Sequence, residues 1–244
     1  MKSKPARVGL WHFQGAVPLQ NGLPYIAHTK LNNANKAAGE TSHTVYVMTE
    51  WADAVLKHNP NSVLFMDSYY MSKAGLEMVR EKCLKVIAAL NTGRFKRFKK
   101  HMESKVKNAG ETSYLHNNQT GETIMFHWSI NSNIGKKMTY STCFKVEKGK
   151  QPPNTIPIFD HYNAGFNRCD RFNQQMHGKT WPFKSGGKNR HGMEGNTMNY
   201  WFTTTLVNGW NAFAATRAQG QSDENFKDYC CDLAIEQCRC FNEQ

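Results

Sequence analysis

The stretch "SVLFMDSYYMS" at 62–72 constrains the fold more than any other. An apolar run, Val63 to Met66, drives straight into Asp67. Four apolar residues bounded by polar turn residues read as a short buried strand. Ser72 then has the chemistry of a helix N-cap, and a helix follows through about Arg80 with Leu76 and Val79 on its inner face. A second apolar run, "LKVIAAL" at 84–90, reads as another buried strand. Strand, acid, capped helix, strand commits this part of the chain to an α/β order.

The remaining segments extend that order. In 7–30, "VGLWHF" and "LPYIAHT" read as two strands flanking "GAVPLQNG", whose Gly15, Pro18 and Asn21-Gly22 carry turn chemistry. Val45, Met48, Ala52 and Val55 recur at helical spacing over 43–58, and Pro60 stops the run. Residues 91–118 read as a basic, polar, turn-rich segment. "ETIMFHWSI" and "KMTYSTCFKV" alternate with period two across "NSNIGKK" and predict a hairpin. "GKQPPNTIP" reads as a linker. Phe166, Cys169, Asn173 and Met176 share a helical face, so a helix starts within 162–176. A Gly-, Lys- and His-rich loop spans 177–196. Helices follow over 197–216 and 222–241, the latter capped by Ser222-Asp223-Glu224. Boundaries at 90/91 and 150/151 divide the chain into 1–90, a basic insertion with hairpin at 91–150, and a helical completion at 151–244.

Composition narrows the function. Of 244 residues, 39% are hydrophobic and 12% aromatic, enough to build a packed core. No apolar run is long enough to span a membrane as a helix, and the N-terminus lacks the apolar stretch of a signal peptide. The net charge of +12 favours a polyanionic partner, in the first place nucleic acid. Seven cysteines without a secretory signal point to free thiols in a reducing compartment. "CCDLAIEQCRC" offers no C-x₂₋₄-C pair on a turn, so buried or partly exposed thiols are the better reading than a zinc site.

Two sets of residues carry candidate chemistry. Asp67 follows a strand and Asp170 sits in "YNAGFNRCDRFNQQM" at 162–176, about a hundred residues on. Carboxylates at element ends of a basic protein suggest hard cations facing phosphates, since Mg²⁺ takes carboxylate oxygens and keeps positions for phosphate. Two such ions about 4 Å apart can activate an attacking oxygen and stabilise a leaving one. A lone Asp after a strand is also an ordinary turn residue or cap. The second set is Arg94, Lys96, Arg97, Lys99 and Lys100, interleaved with Phe95 and Phe98. Cations neutralise phosphates, while the aromatics either stack on exposed bases or pack inward. Lys184, Lys188 and Arg190, with Lys179, Trp181 and Phe183, form a similar patch.

The 162–176 stretch resembles a segment of piggyBac-type transposases that reads roughly Y-N-x-x-x-G-G-V-D-x-x-D-Q. It is present here as Tyr162-Asn163, Cys169-Asp170 and Asn173-Gln174. "DSYYMS" at 67–72 is similar to the family's D-N-F/W-Y/F-T-S motif. "KPARVG" at 4–9, "AALNTGRFKR", "MFHWSINSNIGKKMTYSTCF", "NAF" at 211–213 and "NFKDYCCDLAIEQ" resemble further segments in the family's order. The resemblance implies an α/β, RNase H-like mixed sheet flanked by helices, with a small inserted β-hairpin region. It also implies three aspartates holding two metal ions, Mg²⁺ or Mn²⁺, for DNA cleavage and strand transfer. Asp67 would be the second of these acids and Asp170 the third, both as catalytic and as metal-holding residues. DNA as partner and a nuclear location follow from the resemblance, and a homodimer is compatible with it. The family's N-terminal DNA-binding portion and cysteine-rich terminal domain are expected to have no counterpart in these residues.

The first acid should fall at Val17 or Pro18, and neither is acidic. No Asp or Glu occurs before Glu40. The amides of Gln14 and Gln20 are neutral and poor substitutes on a hard cation. Asn173 stands where several relatives carry an acid, and Asn167-Arg168 replaces the family's paired glycines. Arg168 brings a cation beside Asp170, close enough in sequence to pair with it. The expected function is a transposase-derived, DNA-interacting domain that is catalytically impaired, with Asp67 and Asp170 as vestigial acids. Two alternatives stand beside it: an active metal-dependent transposase with a substitute acid such as Glu40 or Glu50, and a non-catalytic scaffold for a partner.

Overall fold

The computed structural model describes residues 12–31, 43–131, 135–144, 157–177, 193–216 and 226–242. In chain order the elements are β1 (His12–Pro18), β2 (Pro24–Leu31), α1 (His43–His58), β3 (Val63–Met66), α2 (Lys73–Glu81), β4 (Lys85–Ala89), α3 (Lys96–Glu103), β5 (Thr112–His116), β6 (Thr123–Trp128), β7 (Lys136–Ser141), α4 (Pro157–His177), α5 (Met193–Thr216) and α6 (Phe226–Asn242). They gather into two compact units, residues 35–166 and residues 1–34 with 167–244. These divide the chain at other points than the 90/91 and 150/151 of the sequence reading.

Residues 35–166 hold a five-stranded mixed sheet in the order β3-β4-β7-β6-β5. β3 runs parallel to β4, and the other neighbours are antiparallel. The expected hairpin is present as β6 and β7, and it joins the sheet through β7 against β4. Two segments differ from the sequence reading. Within the stretch read as turn-rich lies α3, because Phe95, Met102 and Val106 recur on one side and are buried against the core. β5 follows it, adding the sheet's far edge beside β6. The main core packs α1 and α2 on the sheet through Val45, Met48, Met71, Val79, Val86 and Phe126. Ser72 caps α2 as expected, its Oγ accepting from the Gly75 amide at 3.1 Å.

A buried carboxylate sits inside this unit. Glu122 Oε1 accepts from Arg80 Nε at 2.7 Å and from the Tyr140 hydroxyl at 2.6 Å, while Oε2 accepts from the Thr120 hydroxyl at 2.8 Å. Burial alone would raise the Glu122 carboxyl, but the donors more than offset it and hold it below the usual carboxylate range. The same burial and the Glu122 contact push the Tyr140 hydroxyl far up, so it donates at any ordinary pH.

The start of α4 closes the other face of the sheet through Ile158 and Tyr162, which pack on Ile87 and Met125. Gly165 makes that approach close enough for the Phe65 ring to lie where a Cβ would stand.

Residues 1–34 with 167–244 are built around the β1–β2 hairpin. The strands pair antiparallel with a bulge between Gly15 and Ala16. β1 runs on to Pro18, through residues read as turn, because Ala16 and Val17 still find partners in Ile26 and Tyr25. The reversal itself is confined to Leu19–Leu23, with Gly22 at φ 77° and Asn21 Oδ1 accepting from the Leu23 amide. α5 lies along β2: Asn208 exchanges hydrogen bonds with the Ile26 backbone, and buried Asn211 donates to the Pro24 carbonyl at 2.7 Å. Phe172, Met176, Leu206 and Val207 pack on Ile26. The proposed cap of the last helix, Ser222–Glu224, lies outside the described residues, as does the "GKQPPNTIP" linker up to its final Pro157, which begins α4.

Two outcomes follow. Glu122→Ala should cost roughly 2–3 kcal/mol in urea unfolding, since it leaves buried donors without an acceptor. Because the folded Glu122 carboxyl is lowered, its contribution is present above the unfolded value and is lost as pH falls through the folded one. The wild type should therefore lose more stability on acidification than Glu122→Gln. Gly165→Ala should destabilise by roughly 1–3 kcal/mol through overpacking on Phe65, and Phe65→Ala in the same chain should reduce that cost, measured by a double-mutant cycle.

Candidate nucleic-acid interface and acidic positions

Asp67 ends β3 and builds the turn that follows. Its Oδ1 accepts from the Tyr69 amide at 2.7 Å and from the Ser68 hydroxyl at 3.1 Å. The Tyr70 amide closes the turn on the Asp67 carbonyl. Arg94 holds the outer side of the same turn, its Nη1 donating to the Tyr69 carbonyl at 2.9 Å and to that of Ser68 at 3.3 Å. Nothing in local spacing signals this clamp, in which Arg94, an expected phosphate contact, turns Nη1 onto two backbone carbonyls. Residues 91–94 are turned toward it by Asn91, whose side chain accepts from the Gly93 and Arg94 amides.

α3 begins directly after Arg94 and is unusual at its start. Phe95 occupies the N-cap and makes no side-chain cap hydrogen bond, and the first turn carries no acid. Lys96 and Arg97 are its first two residues. An uncapped helix N-terminus leaves amide donors open and attracts anions, and the cations placed there oppose the helix dipole until an anion arrives. Lys96, Arg97 and Lys100 are exposed. Lys99 lies 3.8 Å from Glu103, which also pairs with Lys136 at 2.5 Å. Lys136 Nζ in turn sits 4.3 Å from the Trp128 ring. Lys96, Lys99 and Lys100, with Thr92 and Gly93, line a groove along the helix.

Asp170 is exposed on α4, in the other unit. Beside it, Cys169 Sγ donates to the Gln14 carbonyl at 3.8 Å, and burial, then the Asp170 charge, push its thiol up to about 11. Arg168 reaches the Gly22 carbonyl at 3.4 Å and makes no ion pair with Asp170 among the described residues. The Asp170 segment thus packs along β1 and its turn, where the first acid was sought. Val17 and Pro18 stand there, in register with Tyr25 and Pro24. Gln14 is tied to α5, its Nε2 donating to the Tyr200 hydroxyl at 2.7 Å. Gln20 lies exposed in the turn.

Glu50, a candidate substitute acid, accepts from the Tyr46 hydroxyl on its own helix. Glu40 lies outside the described residues, as do Lys179, Trp181, Phe183, Lys184, Lys188 and Arg190. Among the described residues no three His, Cys, Asp or Glu side chains gather to hold a metal ion. Val17 and Pro18 themselves offer no carboxylate oxygen to a hard cation. Cys83, Cys143, Cys169, Cys230 and Cys231 are free thiols.

The fold has a counterpart among solved structures. A cryo-EM structure of a piggyBac transposase synaptic complex with hairpin DNA superposes with a TM-score of 0.70 over 96% of this chain at 11% sequence identity. The chain spans about half of that protein, 47% of its length. No family model and no curated protein matches the sequence. The likeness shows the fold, an α/β arrangement with a mixed five-stranded sheet flanked by helices, consistent with the expected RNase H-like core. No helix among the described residues is long and apolar enough to cross a membrane.

Arg94→Ala should loosen the 67–70 turn. Hydrogen exchange at the Tyr69 and Tyr70 amides is expected to speed up roughly fivefold, about 1 kcal/mol of local stability, while β4 protection stays unchanged.

Proposed function

We propose that this chain is a transposase-derived, DNA-interacting domain whose acidic centre is incomplete, so that it holds DNA without cutting it. One observation carries the reading. At the end of β1, whose Gln14 carbonyl meets Cys169 beside Asp170, stand Val17 and Pro18, where the resemblance would put the first acid. Losing one carboxylate from a site that must hold doubly charged cations removes both charge and ligand atoms. Asp67 is a turn-former in its own right, through its hydrogen bond to the Tyr69 amide, which gives it a structural reason to be there. In this reading Asp67 and Asp170 are vestigial acids, and Mg²⁺ or Mn²⁺ has no catalytic part.

DNA binding rests on charge and on α3. The net charge of +12 favours a polyanion. Lys96, Arg97 and Lys100 project from a helix start that lacks both cap and acid. Arg94, Lys99, Lys184, Lys188 and Arg190 would add to the same field. The resemblance to piggyBac-type transposases supports DNA as the polyanion, and a nuclear location and a homodimer go with that reading.

The test has two arms. Replacing Lys96, Arg97 and Lys100 by Ala should weaken duplex DNA binding and reduce the slope of log K against log salt by about 2–3, as expected for that many phosphate contacts. Asp67→Ala should leave DNA affinity within about twofold, because the residue makes no phosphate contact in this scheme. If the wild type nicks DNA with Mg²⁺ or Mn²⁺ and Asp67→Ala abolishes the nicking, the impaired-centre reading is wrong.

A further inference from the structure

α3 separates two different surfaces. On one side run the lysines described above. On the other lies a groove of about 630 Å³ in the same unit, walled by Phe98, Leu115, Ile124 and Leu76, with Arg80 and Lys73 at its rim. Phe95 and Phe98 behave differently there. Phe95 is buried, with 9% of its surface exposed, and packs in the core. Phe98 is 41% exposed, its ring tilted at 43° to that of Phe95 with centroids 6.5 Å apart. Phe95 thus props Phe98 from beneath and leaves part of the ring open to the groove. An exposed aromatic on a helix whose neighbours are Lys96, Arg97, Lys99 and Lys100 contributes little to the core.

The groove is large enough for a small planar group. Its own lining sets Lys73, Arg80 and Arg94 against Glu77 and Glu122, an excess of one cation, with Glu122 bonded to Arg80 and Glu77 3.8 Å from Lys73, while Lys96, Lys99 and Lys100 line the groove across α3, within reach of a strand that crosses the helix. Charge complementarity therefore selects an anionic ligand with a flat apolar moiety. Single-stranded DNA has both features, and base stacking on an aromatic is tolerant of sequence. A paired base in a duplex keeps its faces stacked on its neighbours and cannot enter.

We infer that the Phe98 groove receives an unpaired base of single-stranded DNA, with the cations of α3 holding the adjoining phosphates. The inference rests on the DNA-binding reading above and sharpens it from duplex to strand. Phe98 supplies the stacking face, and Phe95 keeps that face in place.

The experiment compares an oligo-dT of about 12 nucleotides with a duplex of the same length by fluorescence anisotropy, at one salt concentration. Phe98→Ala is expected to weaken the single strand about tenfold while changing duplex affinity less than about twofold. Phe98→Trp should restore strand affinity, and its indole emission should be quenched by oligo-dT and not by the duplex. A thermal melt of Phe98→Ala checks folding; if that variant is unfolded, Phe98→Trp quenching alone decides. Loss of strand and duplex binding in equal measure, unchanged strand binding, or absence of quenching would overturn the base-stacking inference and leave the DNA reading intact. If the wild type binds neither probe, both readings fall. Retention of an acidic aromatic peptide by the groove in place of oligo-dT would likewise overturn it.

Discussion

Two hydrogen bonds from the Arg94 guanidinium, to the carbonyls of Ser68 and Tyr69, join segments that are chemically opposite: an acid-containing turn and a basic helix. The turn is held from inside by Asp67 and from outside by Arg94. Arg94 immediately precedes the N-cap of α3, so the acid-containing turn is tied to the residue after which that helix begins. The open helix start, the exposed cations and the half-open Phe98 follow directly in the chain. Electrostatics at the surface is thereby tied to backbone geometry at the end of β3.

The other unit is organised by amides. Asn208 and Asn211 on α5 satisfy backbone groups of β2 that a hairpin without a further strand would leave open, and Gln175 on α4 completes the set by pairing with Asn211. Buried polar groups of this kind fix relative position more strictly than apolar packing does, since each needs its partner at the right distance. They keep α4 and α5 in register with the hairpin. The Cys169–Gln14 and Arg168–Gly22 contacts, which bring the Asp170 segment against β1, belong to the same arrangement.

Much of this was legible in the residue order, and the exceptions have physical causes. β3 and β4 stood out because short apolar runs bounded by polar residues have few other uses, and α2 because Ser72 is a strong cap. α1 and the β6–β7 hairpin followed from their periods. α3 was hidden: its apolar residues, Phe95, Met102 and Val106, are diluted by lysines, and its N-terminus lacks the cap that would announce it. β1 was cut short by Gly15 and Pro18, which usually mark turns and here sit at a bulge and a strand end. At the candidate site, the absence of any Asp or Glu before Glu40 is plain in the residue order, whereas assigning Val17 or Pro18 to a first acid rests on the resemblance alone. The clamp by Arg94 could not be read, because nothing in local spacing distinguishes a guanidinium bound to backbone from one awaiting phosphate.

Cys169 carries a consequence of its own. Its thiol is held protonated by burial and by the neighbouring Asp170, with Sγ turned onto the Gln14 carbonyl. Thiolate is the reactive form, so this sulfur reacts slowly for as long as helix and strand remain together. Separation of α4 from β1 would release it to ordinary thiol reactivity. Alkylation followed at this one sulfur, against the exposed Cys83, Cys143 and Cys231 as the unprotected reference, would therefore report how often the hairpin lets go of the helix.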